Sequence, residues 1–307
     1  MIAGTPAAAP TGSDEPAAVY GSQRSALARF WRFTRSNRGF AFGLAVVGSS
    51  IFLMAFGPII SPYNPRAEDF QAVLAGPSAS HWLGTDVNGR DVLSRILSAP
   101  RVDLYIALVS TALAMLIGIP LGVLATGSSR FGKIAGDVLL RVMDVLQAFP
   151  VFILGLALVA AFGPSATNVI VALTLLQFPV FLRLTRAAAI TVRGRTFVEA
   201  ARIGGSGTFT VLFRHVLPNS IGPSLVGASV AVAQAVLITA GLSFVGAGIR
   251  PPTPEWGQMI SDGAKDLNGT GQWWTSVFPG IALGIVVLGY AIVGDGLKLY
   301  FDPSRRK

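Results

Sequence analysis

Runs of about twenty residues without a single charge recur along this chain, with its charged residues crowded into the stretches between them. A helix rises 1.5 Å per residue, so about twenty apolar residues cross a hydrocarbon core of about 30 Å. The runs are Gly39–Ile60, Leu104–Ala125, Val145–Phe162, Thr167–Leu182, Ile221–Ile249 and Val277–Val293. Only 13% of the 307 residues are charged, against about 25% in soluble domains. A soluble enzyme, a secreted disulfide scaffold and a disordered chain are excluded. The expected fold is an all-α polytopic membrane protein with six transmembrane helices.

Six spans place both termini on one side. Eighteen basic residues fall on the side of the termini: the tail carries Arg24, Arg29, Arg32, Arg35 and Arg38, and the fourth connection holds six more between Arg183 and Arg214. Six fall on the other side: Arg66, Arg90, Arg95, Arg101, Arg250 and Lys265. The positive-inside rule predicts cytoplasmic termini. The same rule explains the net charge of +9 without nucleic acid as a partner. Residues 1–38 contain no apolar core of a cleavable signal and read as a flexible Ala/Pro-rich, then basic, cytoplasmic tail. Residues 39–303 hold the spans, and 304–307 form a basic cytoplasmic end.

The chain has no cysteine and two histidines, His81 and His215, which leaves no thiolate chemistry and little for a metal site. Gly127–Lys133 copies most of a phosphate-binding loop. However, Ile134 stands where a Mg²⁺-binding hydroxyl is needed and no strand precedes it. No catalytic residue and no bound cofactor are expected. Gly204-Gly205-Ser206-Gly207 with His215 imitates an intramembrane serine protease, but lies in a polar connection outside any span. Gly118 and Gly122, and Gly280 and Gly284, put small residues four apart, which permits close helix packing. Asn268-Gly-Thr270 is a glycosylation sequon. Arg141 and Asp144, three apart at the cytoplasmic mouth of the third span, can pair on one helix face; such a pair is either functional or an interfacial anchor.

The segment Phe197–Asn219 is the most informative. Phe197–Ile203 predicts a short helix with Glu199 and Arg202 paired at i,i+3. Gly204, Gly205 and Gly207 break it. Thr208–Val216 predicts a second helix with Phe209, Leu212, Phe213 and Val216 on one apolar face, stopped by Pro218. A cytoplasmic helix–turn–helix results, suited either to presenting Glu199 to a partner's groove or to reorienting the chain.

Glu199-Ala200-Ala201, followed by Gly205 and Leu217-Pro218, resembles the EAA loop of importer-type ABC permeases. His81–Asp86 with Gly89–Arg95, Leu242–Gly246 with Pro251–Gly257, and Gly294–Leu297 with Asp302-Pro303 narrow the resemblance. They are similar to blocks of the C-type inner-membrane permease of the dipeptide/oligopeptide and nickel importers. The resemblance runs from about residue 39 to 303 and implies a pore subunit for dipeptides or oligopeptides in a bacterial inner membrane. It also implies a second related permease, two ATPase subunits that use ATP and Mg²⁺, an external substrate-binding protein, and the lipid bilayer as surroundings. It makes Glu199, Ala200, Ala201, Gly205, Leu217 and Pro218 the ATPase-coupling loop. Trp82, Asp86, Arg90, Asp91, Arg95 and Trp256 become candidates for external docking. Two departures stand out: Thr239 replaces a glutamate frequent in the family, and Gly204 adds a residue to the turn after Glu-Ala-Ala. The competing reading is a self-contained ion- or proton-coupled secondary transporter, for which no clear repeat or midplane carboxylate is visible. A membrane enzyme rests on the Gly-x-Ser-Gly match alone.

Overall fold

The structure, a computed structural model, describes residues 26–127 and 130–301. Most of the tail, two residues of the Gly127–Lys133 turn, Asp302-Pro303 and the basic end at 304–307 therefore lie outside the described residues. Among the described residues there are helices and no strand; a single isolated bridge joins Thr85 and Asp91.

The helices are α1 (Ala26–Ser36), α2 (Arg38–Ile60), α3 (Val92–Ser98), α4 (Pro100–Leu124), α5 (Arg130–Ala148), α6 (Val151–Phe162) and α7 (Ala166–Arg193). They continue with α8 (Thr196–Ile203), α9 (Thr208–Thr210), a π-helical turn at Val211–Val216, α10 (Leu217–Ser220), α11 (Gly222–Phe244), α12 (Trp256–Thr270) and α13 (Trp274–Phe301). Five legs are long and apolar enough to cross a membrane, and the bent pair α5–α6 makes up to six. The legs alternate in direction. One end of the bundle, the loop end, therefore carries α8–α10. The other, the cap end, carries Ser61–Asp91 and Val245–Gly271.

Three boundaries differ from expectation. The third run is not one helix: it turns by 91° between α5 and α6, where Pro150 takes ψ 126° and Phe149 precedes a proline, a position biased away from helix. The fourth run is longer than its apolar core, because α7 continues through Pro179 to Arg193; the fixed φ of proline is helical, and only one intrahelical bond is lost. The fifth stops at Phe244, where Gly246 takes φ +83° and Ala247 N–H returns to the Leu242 carbonyl. The basic lead-in of the tail is helical over Ala26–Ser36; Phe30 and Phe33 set their rings against Phe40 and Tyr300 at 5.2–5.7 Å between centroids.

The α4–α7 seam is the most extensive helix–helix contact in the bundle, and a close one. A Cβ on Gly118 would stand 2.6 Å from the Phe178 carbonyl oxygen, and one on Gly122 2.6 Å from that of Leu182. The two backbones therefore touch directly, which substitutes for a hydrophobic drive that lipid does not supply. Gly280 and Gly284, the other pair at the same spacing, meet nothing within 4 Å. Polar bonds tie the remaining legs: Thr111 Oγ1 donates to Gln177 Oε1 at 3.0 Å, Thr185 and Ser224 share a bond of 2.7 Å, and Ser229 Oγ donates to the Tyr290 carbonyl at 2.8 Å.

Candidate functional site

The loop end is built on α8. Its C-terminus closes on Gly205, which takes φ +81°: Gly205 N–H bonds to the Arg202 carbonyl at 3.0 Å and Ser206 N–H to that of Ala201 at 3.1 Å. This is the paired 5→2 and 6→1 pattern of a glycine-terminated helix. Gly204 keeps φ −71° as the last half-helical residue, so only one of the three glycines uses its conformational freedom.

The second helix differs from the expected regular one. A short α-turn enters the π turn Val211–Val216, whose closing bond runs from Leu217 N–H to the Leu212 carbonyl. The wider turn changes which side chains face inward. Val211, Leu212 and Val216 are buried, Phe213 is half-buried, and Phe209 is 70% exposed and stacked on Phe213 at 4.4 Å. Pro218 does not stop the helix; it sits in the first turn of α10, where no N–H is needed.

Val198 at 0% exposure joins Val211, Leu212 and Val216 in a cluster with Val123 of α4 and Ala189 and Val192 of α7. The loop is thus fastened to the ends of the two legs that share the most extensive contact. Its outer surface is different. Glu199 and Ala200 are exposed, Ala201 and Leu217 are half-buried, and Pro218 is exposed. Phe197, Ile203 and Phe209 are 40%, 82% and 70% exposed on the same loop, and Ile203 stands one turn along α8 from Glu199. The expected Glu199–Arg202 ion pair is absent among the described residues: Arg202 lines a small cleft with Arg193 and Ser206 instead. Among the described residues Glu199 has no ionic partner, and the exposed Ile203 lies one turn along the same helix. Ser206 and His215 share no hydrogen bond, so no nucleophile–base pair is formed there.

Asp144 does not pair with Arg141. Its carboxylate accepts from Arg183 of α7, because the α5–α6 bend lays α5 across α7; Arg141 is exposed on the same helix. Arg183 was missed because the pair is 39 residues apart in sequence.

At the cap end the six candidate docking residues divide sharply. Trp82 is 70% exposed. Arg90, Asp91, Arg95 and Trp256 are buried, and Asp86 is half-buried. They build the cap rather than its surface. Arg90 Nε lies 2.8 Å and Arg95 Nε 3.6 Å from Asp86 Oδ2. His81 Nδ1 is 3.0 Å from Asp91 Oδ1, while Asp91 Oδ2 caps α3 by accepting from Ser94 N–H at 2.8 Å. Arg95 Nη1 donates to the carbonyls of Pro65 and Pro252 at 3.1 and 3.3 Å. The two segments expected to act together, Trp82–Arg95 and Pro251–Gly257, are therefore joined by a buried guanidinium. Beside them opens a cleft of about 1260 Å³ bordered by Tyr63, Arg66, Arg101 and Tyr105.

Two buried acids were not anticipated. Asp103 in the first turn of α4 is 2% exposed and Glu255 is fully buried. Glu255 accepts from the Gly257 and Gln258 N–H groups at 3.0 and 2.7 Å and so caps α12. Burial nevertheless holds its carboxyl above the usual glutamate range. Thr239, the departure from the family pattern, is fully buried in α11 with no partner for its hydroxyl among the described residues. No group of three or more metal-binding side chains is found among the described residues.

An all-helical bundle with five legs long and apolar enough to cross a membrane, or six with the bent pair, is the architecture of a polytopic membrane protein. Residues 118–307 match the family model described as the inner membrane component of binding-protein-dependent transport systems, and residues 25–77 match the N-terminal transmembrane domain of oligopeptide transport permease C. The chain belongs to this family of binding-protein-dependent transport permeases. It is 36% identical over 298 residues to the di/tripeptide transport system permease protein DppC of Pseudomonas aeruginosa, covering 95% of this chain and 96% of that one. It is 38% identical over 287 residues to the dipeptide transport system permease protein DppC of Escherichia coli K12, covering 92% and 94%. Among solved structures, a chain of the MetNI methionine ABC transporter in an inward-facing conformation matches with a TM-score of 0.53. The match covers 68% of this chain and 97% of that one at 18% identity, a likeness of fold.

Proposed function

We propose that this chain is one of two permease subunits that together form the pathway of an ATP-driven importer of dipeptides and short peptides in a bacterial inner membrane. Its termini and α8–α10 face the cytoplasm, and the transport domain spans residues 39–303. Two ATPase subunits dock on the loop, and an external binding protein delivers the peptide to the cap end. The chain itself performs no hydrolysis and binds no cofactor; ATP and Mg²⁺ belong to the ATPases. Near-full-length similarity to permeases named for dipeptide and di/tripeptide transport supports the cargo.

The observation that carries this reading is Glu199. It stands exposed, without an ionic partner among the described residues and one turn from the exposed Ile203, on a helix fastened to α4 and α7. An exposed acid beside an exposed apolar side chain on one helix suits a partner's groove that holds a basic residue. When ATP closes the ATPase pair, the groove moves; the valine cluster passes the movement to α4 and α7 and so biases the bundle between inward- and outward-open states. The coupling is a differential affinity of the closed ATPases for the two arrangements. At the cap end, exposed Trp82 and Phe70 and the adjoining cleft suit delivery, while Asp86, Arg90, Asp91, Arg95 and Trp256 hold that surface in shape.

Purification of the tagged chain from its host in a mild detergent, with mass spectrometry of what accompanies it, tests the reading. A second permease and two ATPases are expected. A chain that arrives alone or as a homodimer in several mild detergents contradicts it.

A further inference from the structure

Three glutamine side chains meet on one cleft at the α5–α6 elbow. Gln147 reaches it from the end of α5, Gln177 from α7 and Gln234 from α11, and the cleft holds about 660 Å³. The rest of its wall is apolar, without a charged residue. It lies at mid-depth. Gln234 is about 15–18 Å from either end of α11, and the twelve residues of α6 place the elbow about 18 Å from the cap end.

That position makes the amides conspicuous. One turn before Gln147 the exposed Asp144 is paired with Arg183, while Phe52 on α2, Leu116 on α4 and Leu288 on α13, exposed near this depth, are apolar. Gln147 and Gln234 are exposed instead, and an amide facing hydrocarbon has no partner. Gln177 supplies a second, independent sign. It is 6% exposed; its Oε1 accepts from Thr111, while its Nε2 has no hydrogen-bond partner among the described residues. A buried donor without an acceptor, on a residue that lines the cleft, calls for an acceptor.

We propose that this cleft is the mid-depth wall of the translocation pathway, and that its three carboxamides bond the main-chain amides of a passing peptide. The inference rests on the importer reading above and adds the site at which cargo is held. A carboxamide offers the same donor and acceptor as a peptide bond. With no charge in the wall, side chains of either sign pass without being trapped. Neutral bonds hold weakly enough to release, as conduction requires of any pathway site.

The natural chain has no cysteine, so single-cysteine variants report cleanly. Gln147→Cys and Gln234→Cys, and for comparison Leu116→Cys and Leu288→Cys, are treated with a charged methanethiosulfonate in membranes holding the assembled complex. Only a hydrated thiol forms the reactive thiolate. Residues 147 and 234 are expected to react about tenfold faster or more than 116 and 288. A mixed di- and tripeptide hydrolysate with ATP is expected to slow them. Gln234→Leu is expected to lower peptide uptake severalfold, with complex assembly unchanged and partial rescue by Gln234→Asn. Labelling at 234 no faster than at 116, which is the result if lipid or the partner permease fills the cleft, overturns the proposal; so does labelling that peptide does not slow. Failure of the importer reading shows separately, as absence of ATPases from the complex whose labelling is being read.

Discussion

Asp103 Oδ2 accepts the Trp256 backbone N–H at 3.1 Å. A side chain in the first turn of α4 thereby closes the first turn of α12, 153 residues away in sequence, beneath the fully buried Glu255. The cap end is thus locked to the membrane bundle from inside. Asp103→Asn keeps an acceptor for that N–H and adds a donor beside the acid, so detergent-solubilised stability is expected to stay within about 1 kcal/mol. Asp103→Ala leaves the N–H unpaired and is expected to cost about 1–3 kcal/mol. Thermal unfolding followed by tryptophan fluorescence checks the order; equal losses would contradict the bond.

Glu255 gives the cap a pH dependence whose sign follows from burial. Its carboxyl lies above the ordinary 4.5 because desolvation outweighs the Gly257 and Gln258 N–H bonds. A raised folded-state value means that the folded form binds its proton more tightly than the unfolded one. The resulting stability is complete below the ordinary value and is lost as pH rises through the raised one. The wild-type midpoint is expected to fall over that interval, and Glu255→Gln to flatten the fall. An unchanged pH profile in the variant would rule out Glu255 as its source.

Two glycine pairs with identical spacing have opposite fates. Gly118→Val pushes a side chain into the Phe178 carbonyl of α7, where 2.6 Å is available, while Gly280→Val meets open space. Overpacking of about 1–3 kcal/mol or more is expected at 118 and about none at 280. Yield of folded protein after solubilisation measures both; comparable losses would mean that the α4–α7 contact is not the tight seam described.

Glu199→Arg reverses the exposed acidic charge of α8. Uptake is expected to be abolished, with membrane insertion and the midpoint of unfolding intact, since Glu199 makes no ion pair among the described residues. A cost of about 2–5 kcal/mol in ATPase docking is expected where the opposing base is left unpaired. Wild-type uptake in this variant would remove Glu199 from the coupling role.

The sequence made the spans legible wherever a charge-free run coincides with one uninterrupted helix, and it made the α8 stop legible because Gly205 is where the chain needs positive φ. The α5–α6 bend was not legible. Pro58, Pro120, Pro179 and Pro279 all lie inside helices, while Pro150 breaks one, and their surroundings are equally apolar. The π turn at Val211–Val216 shifted the buried face because a period of 3.6 was the wrong template there. The cap residues resembled surface residues by their charge. Their burial follows from partners distant in sequence, such as Arg95 with Pro252 and Asp103 with Trp256, and no local pattern announces those pairings. Glu255 was hidden for the same reason: an acid in a loop reads as solvated until α4 and α12 close over it.

The central claim is that ATP, through the loop, drives peptide movement across this bundle. The most direct measurement is uptake of a labelled dipeptide by cells whose only peptide route is this system, with ATP and the proton gradient removed separately. The account predicts that uptake stops when ATP is depleted with the gradient maintained, and continues when an uncoupler collapses the gradient with ATP maintained. Uptake that survives ATP depletion and fails with the gradient would contradict it and would make the chain a self-contained, proton-coupled transporter.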